Sequence, residues 1–327
     1  MTELTRPVTA QANSSVNIAL CFAVAVLEGF DIQAIGVAAP KLAPELGLAK
    51  DQMGWVFFAS NLALVIGASL GGWLADKAGR KPVFVGAVAA FGVATFATVF
   101  VFDFATLVAV RLLAGFGFGA ALPNMMAVAA DISKPEHRAS TATAMFCGMP
   151  LGGGLSAALT QALPPDFDWR LLFLVGGVLP TLLAPALSVF MQETSDGAGS
   201  QTTQRVGVLR SLFGQGRAAP TLLLWIAFFP TLLILYLILY WLPTLALDKG
   251  LDRAIAPQAA LAFNFASVVG ALVLGRIVDS IGPRWPLTFS YLALIGSLLG
   301  LAIVNGQHPV LALSAAAGFF LMGANYA

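Results

Sequence analysis

The chain has 327 residues, 58% of them hydrophobic and only 10% charged, with a formal net charge of +1. Soluble domains carry about 25% charged residues, so a chain this poor in charge could not cover a water-facing surface. The near-neutral balance also excludes the basic footprint that nucleic-acid binding needs, and the expected partner is a lipid bilayer.

The first fifteen residues are polar, and no small-residue cleavage site follows the first apolar run, so no removable signal peptide is expected. Apolar runs close to the roughly 20 residues of a bilayer-spanning helix then follow one another. They predict helices over 16–39, 53–75, 82–102, 104–130, 139–163 and 171–191. Residues 192–217, rich in Gly, Ser, Thr and Gln, form the only long hydrophilic segment and read as a linker. Further helices are predicted over 218–247, 254–275 and 285–304, and a tenth begins near 309 and still runs at 327. The expected fold is an all-α membrane protein. Its expected units are a six-helix bundle over 1–191, a cytoplasmic linker over 192–217 and an incomplete second bundle over 218–327.

The loops sort the basic residues. Arg6, Lys77, Arg80, Lys81, Lys134, Arg138, Arg205, Arg210, Arg217, Arg276 and Arg284 fall on one side. Lys41, Lys50, Arg170, Lys249 and Arg253 fall on the other, and Arg111 lies within a helix. Because cytoplasmic loops carry the excess of Lys and Arg, the N-terminus and the linker are expected in the cytoplasm. Cys21 and Cys147 both sit in apolar runs and form neither a disulfide framework nor a metal motif. His137 and His308 lie in loops and are not placed to bind a metal.

An internal repeat is visible. Gly72, Asp76 and Gly79 recur as Gly275, Asp279 and Gly282, a shift of 203 residues. The same shift carries Ala114-Gly115-Phe116 onto Ala317-Gly318-Phe319. Repeated halves are typical of transporter folds. Glycines allow sharp turns and close approach, and Asp76 can face a helix N-terminus or a basic side chain. Gly72, Asp76, Gly79 and Arg80, with Gly275, Asp279, Gly282 and Arg284, are therefore candidate gating loops; solvated helix-ending turns are the plainer alternative. Applying the shift to Ala327 gives Asn124, so the second copy is expected to be unfinished, and the chain alone is expected not to transport.

The residues 72–81 resemble the signature loop of the major facilitator superfamily. Arg111-x-x-x-Gly115-x-Gly117-x-Gly119 resembles its helix 4 motif, and Pro135-Glu136-His137-Arg138 and Trp169-Arg170 fit its loops. The resemblance implies two six-helix bundles around a central cavity that opens alternately to either side. Glu28-Gly29-Phe30-Asp31 is similar to the acidic Asp-Gly-x-Asp signature of the aromatic acid:proton symporter family, with Glu28 in place of the more usual Asp. That family implies proton-coupled import of an aromatic or related organic acid across the inner (plasma) membrane. The implied partners are a small organic anion and a proton, and no cofactor is implied.

Glu28, Asp31 and Arg111 are ionisable groups well inside predicted helices, where charge is costly and functional by default. Glu28 and Asp31, three residues apart, share a helix face. Asp31 and Arg111 lie at similar depth, roughly 13 and 10 Å from the same surface at 1.5 Å per residue, and could meet. Two neighbouring carboxylates at low dielectric repel, so one is expected to hold a proton. Arg111 would pair with the other or with an incoming carboxylate; a purely architectural ion pair is the alternative. Gln33, Asn61, Asn124 and Asn264 are amides that could bond substrate or a neighbouring helix. Tyr236, Tyr240 and Trp241 could stack an aromatic ring or anchor the helix at the interface. Asp131 reads as a solvated helix end or a partner of the basic loops.

Two other functions compete with this one. Pro150-Leu151-Gly152-Gly153-Gly154 is close to the Gly-Pro-x-x-Gly-Gly pattern of proton-coupled exporters, but Met149 stands where a Gly is needed. An enzyme would require a nucleophile, a metal cluster or an interfacial acid/base pair. None is spaced for it, and no enzymatic activity is expected.

Overall fold

The structure, a computed structural model, describes residues 8–133, 138–164, 166–191, 212–214, 216–253 and 255–326. Residues 134–137, which include Pro135 and His137, and most of the predicted linker lie outside the described residues. Ten long helices are described: α1 Val8–Glu45, α2 Lys50–Ala78, α3 Arg80–Ala97, α4 Phe104–Ile132, α5 Arg138–Ala162, α6 Arg170–Phe190, α7 Ala218–Asp248, α8 Ala256–Ile281, α9 Arg284–Ile303 and α10 Gln307–Tyr326. All ten contain a stretch long and apolar enough to cross a membrane. They alternate in direction, so the turns fall at two ends of the molecule. One end carries the turns at Gly79 and Gly282. The other carries those at Gly47, 101–103, 163–169, 249–255 and Gly306.

Several helices outrun their apolar runs. α1 continues through Pro40 and Pro44 to Glu45, and α8 reaches Ile281, six residues past the predicted 275. Hydropathy locates the hydrocarbon layer, whereas backbone hydrogen bonding continues into water until a turn residue stops it. Gly79 and Gly282 do this at one end, with φ of 91° and 82°, in the region that favours glycine. The third helix closes in a 3₁₀ turn, Thr98–Phe100, instead of running on to 102.

The 203-residue repeat is a repeat of contacts. α2 packs on α4 as α8 packs on α10. A methyl group built on Gly67 would fall 2.4 Å from the Phe116 carbonyl oxygen, and one on Gly270 would fall 2.1 Å from that of Phe319. The reverse contacts repeat too: Gly115 against the Ser60 carbonyl at 2.4 Å, Gly318 against the Phe263 carbonyl at 2.1 Å. One pair is exchanged. In the first copy Gly71 faces Ala120; in the second, Leu274 faces Gly323.

Among the described residues, three apolar clusters form the interior. One lies within α1 and α3–α6 and holds Phe84, Phe91 and Met125. Another lies within α7–α10 and holds Phe263, Leu294 and Leu321. The third gathers Ile35, Leu42, Phe57, Leu107 and Trp169 from α1–α6 with Tyr240 and Ala260 from α7 and α8. α1–α6 and α7–α8 thus share a core toward the Gly47 end.

Candidate functional site

The start of α4 is set by its cap. The Asp103 carboxylate accepts from the Thr106 backbone N–H at 2.8 Å and from its hydroxyl at 2.6 Å, satisfying donors a helix N-terminus leaves open. Two turns further on, Arg111 is 2% exposed and Asp31 of α1 is 1% exposed. The guanidinium donates to Asp31 Oδ2 at 2.8 Å and to Thr98 Oγ1 at 2.6 Å. It also lies 5.2 Å from the centre of the Phe173 ring in α6, within cation–π range. The 3₁₀ turn at 98–100 carries the Thr98 hydroxyl, which is why the α3 terminus belongs to the site.

This network sits among α1, α3, α4 and α6. Its groups are incompletely satisfied: Asp31 Oδ1 and Arg111 Nε are buried without a hydrogen-bond partner among the described residues. Glu28, one turn before Asp31, is completely buried, and neither carboxyl oxygen has a partner among the described residues. Thr98 and Phe173 were not singled out from the sequence. A hydroxyl near the end of an apolar run was the only signal for Thr98, and Phe173 is one of 24 phenylalanines.

The candidate substrate contacts fall in two places. Gln33 donates to the Leu239 carbonyl at 2.7 Å and accepts from Asn264 at 3.1 Å. Tyr240 donates to Asn61 at 3.2 Å, and its ring stacks on Phe57 at 4.6 Å. Asn61 and Asn264 are equivalent in the repeat, so two related amides each tie one helix group to the other. Tyr236 lines a small cavity of about 60 Å³ with Gly29, Ile32, Pro150 and Asn264, and stacks on Tyr240 at 6.0 Å. Asn124 lies elsewhere, bonded to the Ala120 carbonyl at 2.8 Å within the α2–α4 contact.

The glycines of helix α5 face packing partners. A methyl on Gly152 would meet the Val26 carbonyl oxygen at 1.8 Å, and one on Gly153 would meet Asn264 at 2.6 Å. At the other candidate loops the picture is different. Arg80 pairs with Asp131. Asp76 and Asp279 are exposed, with no ion pair among the described residues, and a methyl at Gly72 or Gly275 would meet nothing within 4 Å. Arg284 is exposed and lies against Trp285, and His308 is exposed.

The contacts between α1–α6 and α7–α8 continue toward the Gly47 end. Lys50 pairs with Asp248 at 2.8 Å, and Trp241 meets Phe57 edge-on at 5.3 Å.

The Major Facilitator Superfamily family model matches residues 21–327. The chain is 38% identical over 317 residues to the 3-(3-hydroxy-phenyl)propionate transporter of Escherichia coli (strain K12), covering 97% of this chain and 78% of that protein. It is 33% identical over 341 residues to the gallate transporter of Pseudomonas putida, covering 95% of this chain and 76% of the relative. Its fold is similar to that of a bacterial homolog of the human lysosomal transporter Spinster, solved inward-facing, with a TM-score of 0.74 at 19% identity, over 98% of this chain and 74% of that one. A polytopic helical fold built on a repeat, a charged network inside its first helices and a family match across nearly the whole chain lead to one conclusion: the chain belongs to the Major Facilitator Superfamily and is a membrane transporter, not an enzyme.

Proposed function

We propose that the protein is a proton-coupled symporter that imports an aromatic or related organic acid by alternating access. The observation that carries this reading is Glu28, a fully buried carboxyl group with no hydrogen-bond partner among the described residues, one turn from the Asp31–Arg111 pair. A bare carboxylate in such surroundings is too costly to keep, so Glu28 holds a proton in this state. When the site opens to water at the other face, the proton leaves. When Arg111 exchanges from Asp31 to the substrate carboxylate, the proton passes from Glu28 to Asp31, so no bare carboxylate is left and the anion crosses with its charge compensated. Relatives named as transporters of hydroxylated aromatic acids support the substrate class.

The Gly47 end faces outward and the Gly79 end faces the cytoplasm, as the distribution of Lys and Arg favours. The protein resides in the inner membrane with its N-terminus inside. Residues 1–191 move as one bundle against 218–327, joined by the linker over 192–217. Gln33, Asn61, Tyr236, Tyr240 and Asn264 line the route. The cavity of about 60 Å³ lined by Gly29 and Tyr236 has room for a few waters and not for an aromatic acid, so admission requires the helices to part. The loops at Gly72–Arg80 and Gly275–Arg284 engage when the cytoplasmic end closes. Their exposed Asp76 and Asp279 fit a state in which that end is open.

The test is uptake of labelled 3-hydroxybenzoate and 3-(3-hydroxyphenyl)propionate by cells producing the intact protein, at two external pH values. Uptake should be faster at the lower pH. It should lose its proton dependence in Glu28→Gln and collapse in Asp31→Asn. Proton-driven uptake that survives both substitutions refutes the scheme.

A further inference from the structure

At the Gly47 end a second pocket, of about 200 Å³, opens between α1 and α5 on one side and α7 and α8 on the other. Its walls are apolar, with Phe167, Pro40 and Pro243 among them, but two cations reach it, Lys41 and Arg253. Arg253 is exposed and makes no ion pair among the described residues. Lys41 donates to the Phe167 carbonyl at 2.8 Å and lies 3.6 Å from the centre of that ring. An ammonium has three donors, so two remain. Asp166 and Asp168 are within electrostatic range of Lys41, but Asp168 is already held by Arg170, through the backbone N–H at 2.9 Å and the guanidinium at 3.5 Å. The pocket also contains Gln161, whose Oε1 is buried without a donor among the described residues.

Each feature selects a piece of ligand. Two cations select an anion, and Arg253 offers the planar fork that matches a carboxylate. Proline and phenylalanine walls select a flat apolar body. An amide oxygen lacking a donor selects a hydroxyl, because a buried acceptor left unmade is costly. The volume is below the roughly 300–1,000 Å³ of sites for drug-sized ligands, which suits a single ring. We infer that this pocket is a capture subsite where a hydroxylated aromatic carboxylate is held at the molecular surface before it reaches the central network. The ligand class rests on the function proposed above; the cations, ring and amide stand on their own.

Cells producing the intact protein are assayed for initial uptake of labelled 3-hydroxybenzoate and benzoate. Arg253→Gln, at an exposed position, and Lys41→Gln with Arg253→Gln should each raise KM, the double variant by about tenfold, with maximal rate within about twofold. Raising ionic strength should raise KM of the unaltered protein and leave the double variant nearly unmoved, because exposed charges are screened. Gln161→Leu should reduce the preference for 3-hydroxybenzoate over benzoate. An unchanged KM in both cation variants, or a fall in maximal rate at constant KM, overturns the capture subsite while leaving the transport reading intact. Failure of the unaltered protein to take up either acid overturns both.

Discussion

At the scale of single residues, the Asp31–Arg111 pair is a charged bond in a place where charge is expensive. Removing one partner leaves the other buried and uncompensated. Arg111→Met should therefore destabilise the protein by about 3–5 kcal/mol, and Asp31→Asn combined with Arg111→Met should recover most of that. Thermal unfolding in detergent distinguishes the cases. A double variant as unstable as the single one would show that the cost is packing and not charge. Asp103 acts outside the membrane layer. The Thr106 hydroxyl and N–H hold its carboxyl below the usual carboxylate range. Its folded value lies below the unfolded one, so its contribution is complete above the usual range and is lost as pH falls through the depressed value. Asp103→Ala should lower the unfolding temperature at neutral pH, and the difference from the unaltered protein should shrink in acid. The charged pair was legible in the sequence because Glu28, Asp31 and Arg111 interrupt apolar runs. Thr98 and Phe173 were not, because what recruits them is the 3₁₀ turn and the position of α6, neither of which leaves a mark on composition.

At the scale of helices, the glycines divide into those pressed against a neighbour and those of the proposed gating loops, which face open space. Gly152 lies against the Val26 carbonyl and has no room for a methyl group. Gly152→Ala should lower stability by about 1–3 kcal/mol through overpacking. Gly72→Ala and Gly275→Ala, which lie inside helices and face open space in this state, should hold or slightly raise the unfolding temperature, because alanine is the better helix former, and slow uptake. Equal uptake by those two variants and the unaltered protein would remove the gating role from the loops. The resemblance of 150–154 to an exporter motif finds a local reason in these contacts: Gly152 brings α5 against α1, and Gly153 brings it against Asn264 of α8. The repeat was readable in Gly72–Gly79 and Gly275–Gly282, where identical residues persist. It was unreadable where size had moved from one helix to the other. The ends of α1 and α8 were also missed, because hydropathy reports the layer and not the backbone.

At the scale of the whole molecule, the contacts that join α1–α6 to α7 at the Gly47 end are modest. Lys50 and Asp248 are both largely exposed, and such a pair contributes at most about 1 kcal/mol. The Phe57–Tyr240 stack adds about 0.5–1.5 kcal/mol. Contacts of this size hold a state without trapping it. Lys50→Cys with Asp248→Cys, bridged by a short reducible cross-linker, should abolish uptake, and reduction should restore it. Uptake that continues with the bridge intact would mean that this end need not open. Class followed from composition, and the number of described helices from the succession of apolar runs. The crossing of Asn61 and Asn264 between helix groups did not, since which amide meets which helix depends on how two copies of one plan face each other.

The exchange at Gly71 and Leu274 has a consequence for recombining the two copies. Grafting α8 in place of α2 would drive the leucine of position 274 into Ala120, an excess of volume. Grafting α10 in place of α4 would set the glycine of position 323 opposite Gly71, leaving a void. The two grafts fail for opposite reasons, and only a transplant of both helices as a couple keeps the seam filled. What was duplicated is inherited as a matched pair of surfaces, in which each helix carries the cast of its neighbour.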